Sequence, residues 1–146
     1  MPDPPGLFVV SDPKWIDLGR AHVWIASSYW ARNIPWETFQ RACAHSLLFA
    51  ALNDGWQVGF ARVVTDQATF AWLADVFVAE NMRGHGVASR LLAAIIADER
   101  LQGLRRFVLA TADAHSLYER FGFERLGDAG GRLMGITRSA ADLYGD

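Results

Sequence analysis

Apolar residues along this chain change their spacing at clear points, and each change marks a new element. Residues 7–10 are a short apolar run that predicts a first strand. Ser11-Asp12-Pro13 then supplies a helix cap and a proline suited to a first helical position. Trp15, Leu18, His22, Ile25 and Tyr29 recur at helical spacing, so one buried stripe is expected to about residue 28. Residues 29–36 break the pattern, and Asn33 and Pro35 mark the start of a second helix running to about residue 45. Residues 47–52 and 56–65 read as antiparallel strands joined by Asn53-Asp54-Gly55, whose residues tolerate the positive φ of a tight hairpin. After a turn at Asp66-Gln67, the nearly unbroken apolar run 69–78 predicts a fourth strand buried on both faces, with Asp75 as its exception.

Val87, Leu91, Leu92, Ile95 and Ile96 fall on one side of a third helix that ends near Gly103. Residues 107–110 suggest a fifth strand and 114–121 a short helix ended by Gly122. Residues 123–126 and 133–137 read as final strands around a loop at 127–131. Helices and strands in this order predict an α/β (α+β) fold with helices on a central sheet.

Composition narrows the classes of function. With 146 residues, 51% of them hydrophobic, the chain can bury one good core, and residues 1–146 read as a single domain. A net charge of −2 offers no basic field for nucleic acid. The apolar run 68–79 is too short to span a bilayer and the N-terminus lacks the basic start of a signal peptide, so a cytoplasmic protein is expected, with no membrane partner. The single cysteine, Cys43, excludes an internal disulfide framework and a cysteine-rich metal site, and it reads as a small packed hydrophobe. No metal is expected.

Chemistry concentrates after the fourth strand, in Arg83-Gly84-His85-Gly86-Val87-Ala88. Its glycines let several N–H groups converge where a helix begins, which makes a seat for phosphate or pyrophosphate. A P-loop would need a lysine after its last glycine, and the only lysine is Lys14; a dinucleotide fold would need three spaced glycines. What remains resembles the acyl-CoA signature of the GNAT superfamily of N-acetyltransferases, Arg/Gln-x-x-Gly-x-Gly/Ala, matched by Arg83, Gly86 and Ala88. A second segment, 114–123, resembles that superfamily's Ala-x-x-x-Tyr-x-x-x-Gly-Phe pattern through Ala114, Tyr118, Gly122 and Phe123. The resemblance covers roughly residues 47–126.

This resemblance implies a GNAT-like central mixed, mostly antiparallel sheet flanked by helices. It also implies an acetyl-CoA-dependent N-acetyltransferase that moves an acetyl group to a primary amine of a small molecule or amino acid by direct attack on the thioester. The alternatives are an enzyme acting on a protein amine and a noncatalytic acyl-CoA-binding or interaction module. Cofactor contacts would fall to Arg83, Gly84, His85, Gly86, Val87 and Ala88, to the main chain of Val76, Phe77 and Val78, and to Thr111, which stands where an asparagine often contacts the cofactor. Ala79 replaces a frequent proline.

The resemblance assigns the leaving thiolate's proton to Tyr118. Asp75, an acid in an apolar strand, is the candidate base, because burial raises a carboxyl toward a useful range. Its other reading is a carboxylate that accepts hydrogen bonds from an arginine or the backbone and orders a loop. Tyr29, Trp30 and Trp36 would flank the acceptor, and Arg32 would grip an acceptor carboxylate; the plainer reading is that these rings staple two helices. His22, a lone histidine on an apolar stripe, reads as a packed residue. A homodimer is left open.

Overall fold

The computed structural model describes residues 6–127 and 134–146. Five strands follow one another across a single sheet, β1 (Leu7–Val10), β2 (Leu47–Asn53), β3 (Trp56–Thr65), β4 (Phe70–Val78) and β5 (Arg106–Val108). The first four are antiparallel and β5 runs parallel to β4, so the sheet is mixed and mostly antiparallel as expected. Helices α1 (Leu18–Ala26) and α2 (Trp36–Ala44) cover one face, and α3 (Val87–Ala97) covers the other. Two short helices, α4 (His115–Glu119) and α5 (Ala140–Tyr144), complete the chain.

Strand β2 is buried on both faces along nearly its whole length. Its Leu47, Phe49 and Ala51 join the core under α3, while Leu48, Ala50 and Leu52 join the core under α1 and α2. The apolar run of β4 had suggested the same there, yet Phe70 is 41% and Trp72 38% exposed. These two rings lie on the face opposite Ala71 and Leu73 and stay open there, so β4 alternates between buried and open positions.

The first helix is shorter than its periodicity suggested. Pro13–Trp15 forms a separate 3₁₀ turn capped by Asp12, and α1 begins afresh behind Asp17, whose carboxylate accepts from the Arg20 N–H (2.9 Å). The Gln57 side chain holds this break, accepting from the Asp17 N–H (2.8 Å) and donating to the Asp17 carbonyl (3.0 Å). His22 clasps the two helices, its Nε2–H donating to the Ile34 carbonyl (2.8 Å) while its ring packs against Trp36 and Phe39.

Two further expectations fail. Ile96 is 38% exposed and leaves the buried side of α3 to Val87, Leu91, Leu92 and Ile95. Residues 123–126 and 134–137 form no strand among the described residues, and residue 133 lies outside them. Phe123 is drawn into packing instead, its N–H closing on the Tyr118 carbonyl (3.3 Å) and its ring meeting Phe107 and Tyr118 edge-on.

An isolated helix as short as α3 is marginal in water. It is held by four buried apolar side chains, each contributing about 1.5–3 kcal/mol. It sits close because Gly59 on β3 has no side chain. A Cβ there would lie 2.9 Å from Val87 Cγ1, 3.1 Å from Leu91 Cδ1 and 3.3 Å from Ala51 Cβ. Leu91 can yield by rotating, but the β-branched Val87 cannot do so freely. Gly59→Ala is therefore expected to push α3 outward and cost about 1–3 kcal/mol, read as a lowered thermal midpoint. An unchanged midpoint would mean that the helix rests on β3 less closely than this.

Candidate active site

Strands β4 and β5 pair only from Phe70–Arg106 to Trp72–Val108. Beyond that point they part, and one edge of β4 is left without a ladder partner. Crevices past the carboxyl ends of parallel strands are the usual ligand sites of such sheets. A cavity of about 730 Å³ occupies this one, with Leu73 to Val76 on one wall and Leu109 to Ala114 on the other.

A β-bulge shapes the β4 wall. Register jumps from Phe60–Phe77 to Arg62–Ala74, so Asp75 and Val76 together face Ala61. Asp75 takes the left-handed conformation, φ 55°, which turns its side chain away from ordinary strand alternation. Its buried carboxylate accepts from Trp30 Nε1 at 2.8 Å through one oxygen and from Arg62 Nε at 2.8 Å through the other. Arg62 also donates to Ser46 Oγ (3.1 Å).

The second reading of Asp75 thus describes its contacts. Both oxygens already hold donors. Arg62 and Asp75 are 17% and 6% exposed at the side chain, so removing one partner strands the other. Asp75→Asn is expected to lower stability by about 2–3 kcal/mol in urea unfolding, with an unchanged slope. Parental stability would mean that the ion pair holds nothing together.

The glycine turn lies past the end of β4 and does not line the cavity. Gly84 (φ 81°) and Gly86 (φ 78°) are both left-handed, and a Cβ on either would meet nothing within 4 Å. An open concavity therefore faces solvent at the N-terminus of α3, whose first-turn N–H groups have no helical partner. Arg83 is tied back to the strand, its Nε donating to the Val78 carbonyl (3.3 Å) and its guanidinium lying over Phe77. His85 is exposed and Ala88 half-buried, while Val87 is buried in the core and offers only its main chain to this turn. Val76 and Val78 likewise pack inward and Phe77 stacks on Trp24; of the three only Val76 lines the cavity.

Tyr118 reaches the cavity from α4, and its hydroxyl makes no hydrogen bond among the described residues. Burial, reinforced by Tyr29 and Asp113, pushes its pKa above the ordinary phenol value, so it keeps its proton at neutral pH. Thr111 also lines the cavity, but its Oγ1 already accepts from the Ala114 N–H (3.0 Å). Tyr29 and Trp30 form the aromatic wall. Arg32 and Trp36 do not line it: Arg32 is exposed elsewhere, and Trp36 packs on His22.

Three contributions escaped the sequence reading. Arg62 was visible as the lone charge within β3, whereas Arg138 and Tyr144 reach the cavity from the far end of the chain without any local signal. A second cavity of about 980 Å³ runs along β5 and α4, lined by Phe107, Phe121 and Phe123; it shares Leu109, Ala110, Thr111 and Tyr118 with the first and does not include Asp75. Among the described residues, no group of three or more His, Cys, Asp or Glu could hold a metal, and no helix is long and apolar enough to cross a membrane.

The sheet thus splits at a cleft between its parallel strands β4 and β5. The acetyltransferase (GNAT) domain profile matches residues 44–125, more than half of the chain, which belongs to that family. A Xanthomonas campestris crystal structure of a candidate GNAT acetyltransferase is 43% identical and superposes with a TM-score of 0.88, over 97% of this chain and 99% of that one. A candidate acetyltransferase of Gibberella zeae is 28% identical over 75% of this chain and 74% of its own length. The ribosomal-protein-S18-alanine N-acetyltransferase of Escherichia coli, 22% identical, shares the fold with a TM-score of 0.60 over 81% of this chain and 77% of that one.

Proposed function

We propose that this chain transfers an acetyl group from acetyl-CoA to the primary amine of a small molecule or amino acid. The observation that carries this reading is the cleft where β4 leaves β5, because a free strand edge, the Tyr118 hydroxyl and an aromatic wall meet in it. Acetyl-CoA supplies a thioester carbon open to attack by an amine. The turn at Gly84 and Gly86, with the first N–H groups of α3, suits its pyrophosphate, since the missing Cβ atoms leave the backbone donors accessible. The unpaired edge of β4 suits its amide-bearing arm, and main-chain N–H groups at Val76 offer hydrogen bonds to a carbonyl oxygen that gains charge.

At pH 7 only about one alkyl amine in two thousand is neutral, so the acceptor must lose a proton before it attacks. Asp75 is already engaged by Trp30 and Arg62, so we assign this proton to water in the open cleft and give Asp75 the task of holding Trp30 against the acceptor. Tyr118 remains protonated and donates to the departing sulfur.

Thiol release from acetyl-CoA, measured across amino acids, polyamines, aminoglycosides and short peptides, tests the proposal. Acceptor-dependent release with small amines is expected. Tight acetyl-CoA binding without release on any amine would make the protein a noncatalytic acyl-CoA-binding module, and turnover confined to peptides would move the acceptor to protein amines.

A further inference from the structure

We propose that Arg138 is the anion-binding residue of the acceptor pocket, and that the acceptor is a small amine carrying a carboxylate. This rests on the acetyltransferase reading above. The cleft holds two arginines, Arg62 and Arg138. Arg62 is neutralised by Asp75 and is not free to bind a substrate. Arg138 enters no ion pair and no side-chain hydrogen bond among the described residues, and it lines the cavity that holds Trp30 and Tyr118.

The backbone around Arg138 is fixed. Ser139 Oγ accepts from the Asp142 N–H (3.0 Å) and caps α5, and Asn33 Nδ2 donates to the Gly145 carbonyl (3.1 Å), fastening the C-terminal segment to the loop that carries Trp30. Leu143 and Tyr144 line the same cavity from this segment. Arg138 thus lines a pocket that also carries the rings of Tyr29, Trp30, Trp72, Tyr118 and Tyr144.

The charges identify the ligand class. Once Arg62 and Asp75 cancel, the cleft keeps, among the described residues, one unpaired cation, Arg138, and one unpaired anion, Asp113. An acceptor with an ammonium and a carboxylate matches both signs. A single planar fork suits the two oxygens of a carboxylate, whereas a dianionic phosphate is better matched by more than one cation. Arg32, the residue the sequence suggested for this grip, does not line the cavity.

The test compares amino acids bearing aromatic or aliphatic side chains with the same amines lacking the carboxyl group, at saturating acetyl-CoA. The parent protein is expected to favour the amino acids. Arg138→Gln should raise KM for them roughly tenfold, collapsing that preference, while Arg138→Lys restores part of it and KM for acetyl-CoA stays unmoved. An Arg138→Gln variant with an undiminished preference, or one losing both acceptors equally, overturns the assignment while leaving the acetyltransferase reading intact. If the parent protein acetylates neither kind of amine, that reading fails and this inference fails with it.

Discussion

Gly86→Val should raise the dissociation constant of acetyl-CoA by roughly 10–100-fold, the loss expected when one charge-assisted hydrogen bond to a pyrophosphate is broken. Two effects act together. Gly86 sits at φ 78°, where a β-branched residue is a genuine outlier, and the isopropyl group would enter the open space over the α3 donors. The buried side of α3 is untouched, so the variant should remain folded. Calorimetric titration decides it, with circular dichroism as the control. Parental affinity in a folded Gly86→Val protein would move the pyrophosphate away from this turn.

Tyr118→Phe is expected to lower turnover about 100-fold and leave acetyl-CoA affinity unchanged. General acids typically contribute about 10²–10⁴ in rate, and a thiolate already leaves tolerably well, which places Tyr118 at the lower end. Phenylalanine keeps the ring that meets Phe123 and removes only the unpartnered hydroxyl. Because burial raises the Tyr118 pKa, the proton stays in place up to at least about pH 10, so no alkaline limb below that pH should come from this residue. Single-turnover measurements isolate the chemical step. Activity within twofold of the parent would make Tyr118 a packing aromatic.

Local features were legible in the sequence and distant ones were not. The glycine turn, the short helix carrying Tyr118 and the order of five strands all follow from spacing within one or two elements. Asp75 could be singled out as a charge in an apolar strand, but its donors lie 45 residues before it, at Trp30, and 13 before it, at Arg62. No periodicity links those positions. The bulge that turns Asp75 toward them is a mismatch between strands, visible only once register is known. The nearly unbroken apolar run of β4 looked doubly buried because composition does not say which face a helix will cover. Arg32 and Trp36 were grouped with Tyr29 and Trp30 for lying in the same short stretch, yet α2 begins at Trp36 and turns that ring onto His22.

The bond from Asn33 to Gly145 joins two segments that are 112 residues apart and belong to no strand. Both segments line the cavity, while the glycine turn and the β4 edge belong to the sheet and α3. The molecule is thus divided into a chassis of sheet and α3 and a fitting of loop and tail. On the proposed function, loop and tail would have to be exchanged together to change the acceptor, because replacing either one alone severs the link between them. Redesign of acceptor choice in this chain should treat residues 29–34 and 138–145 as one graft.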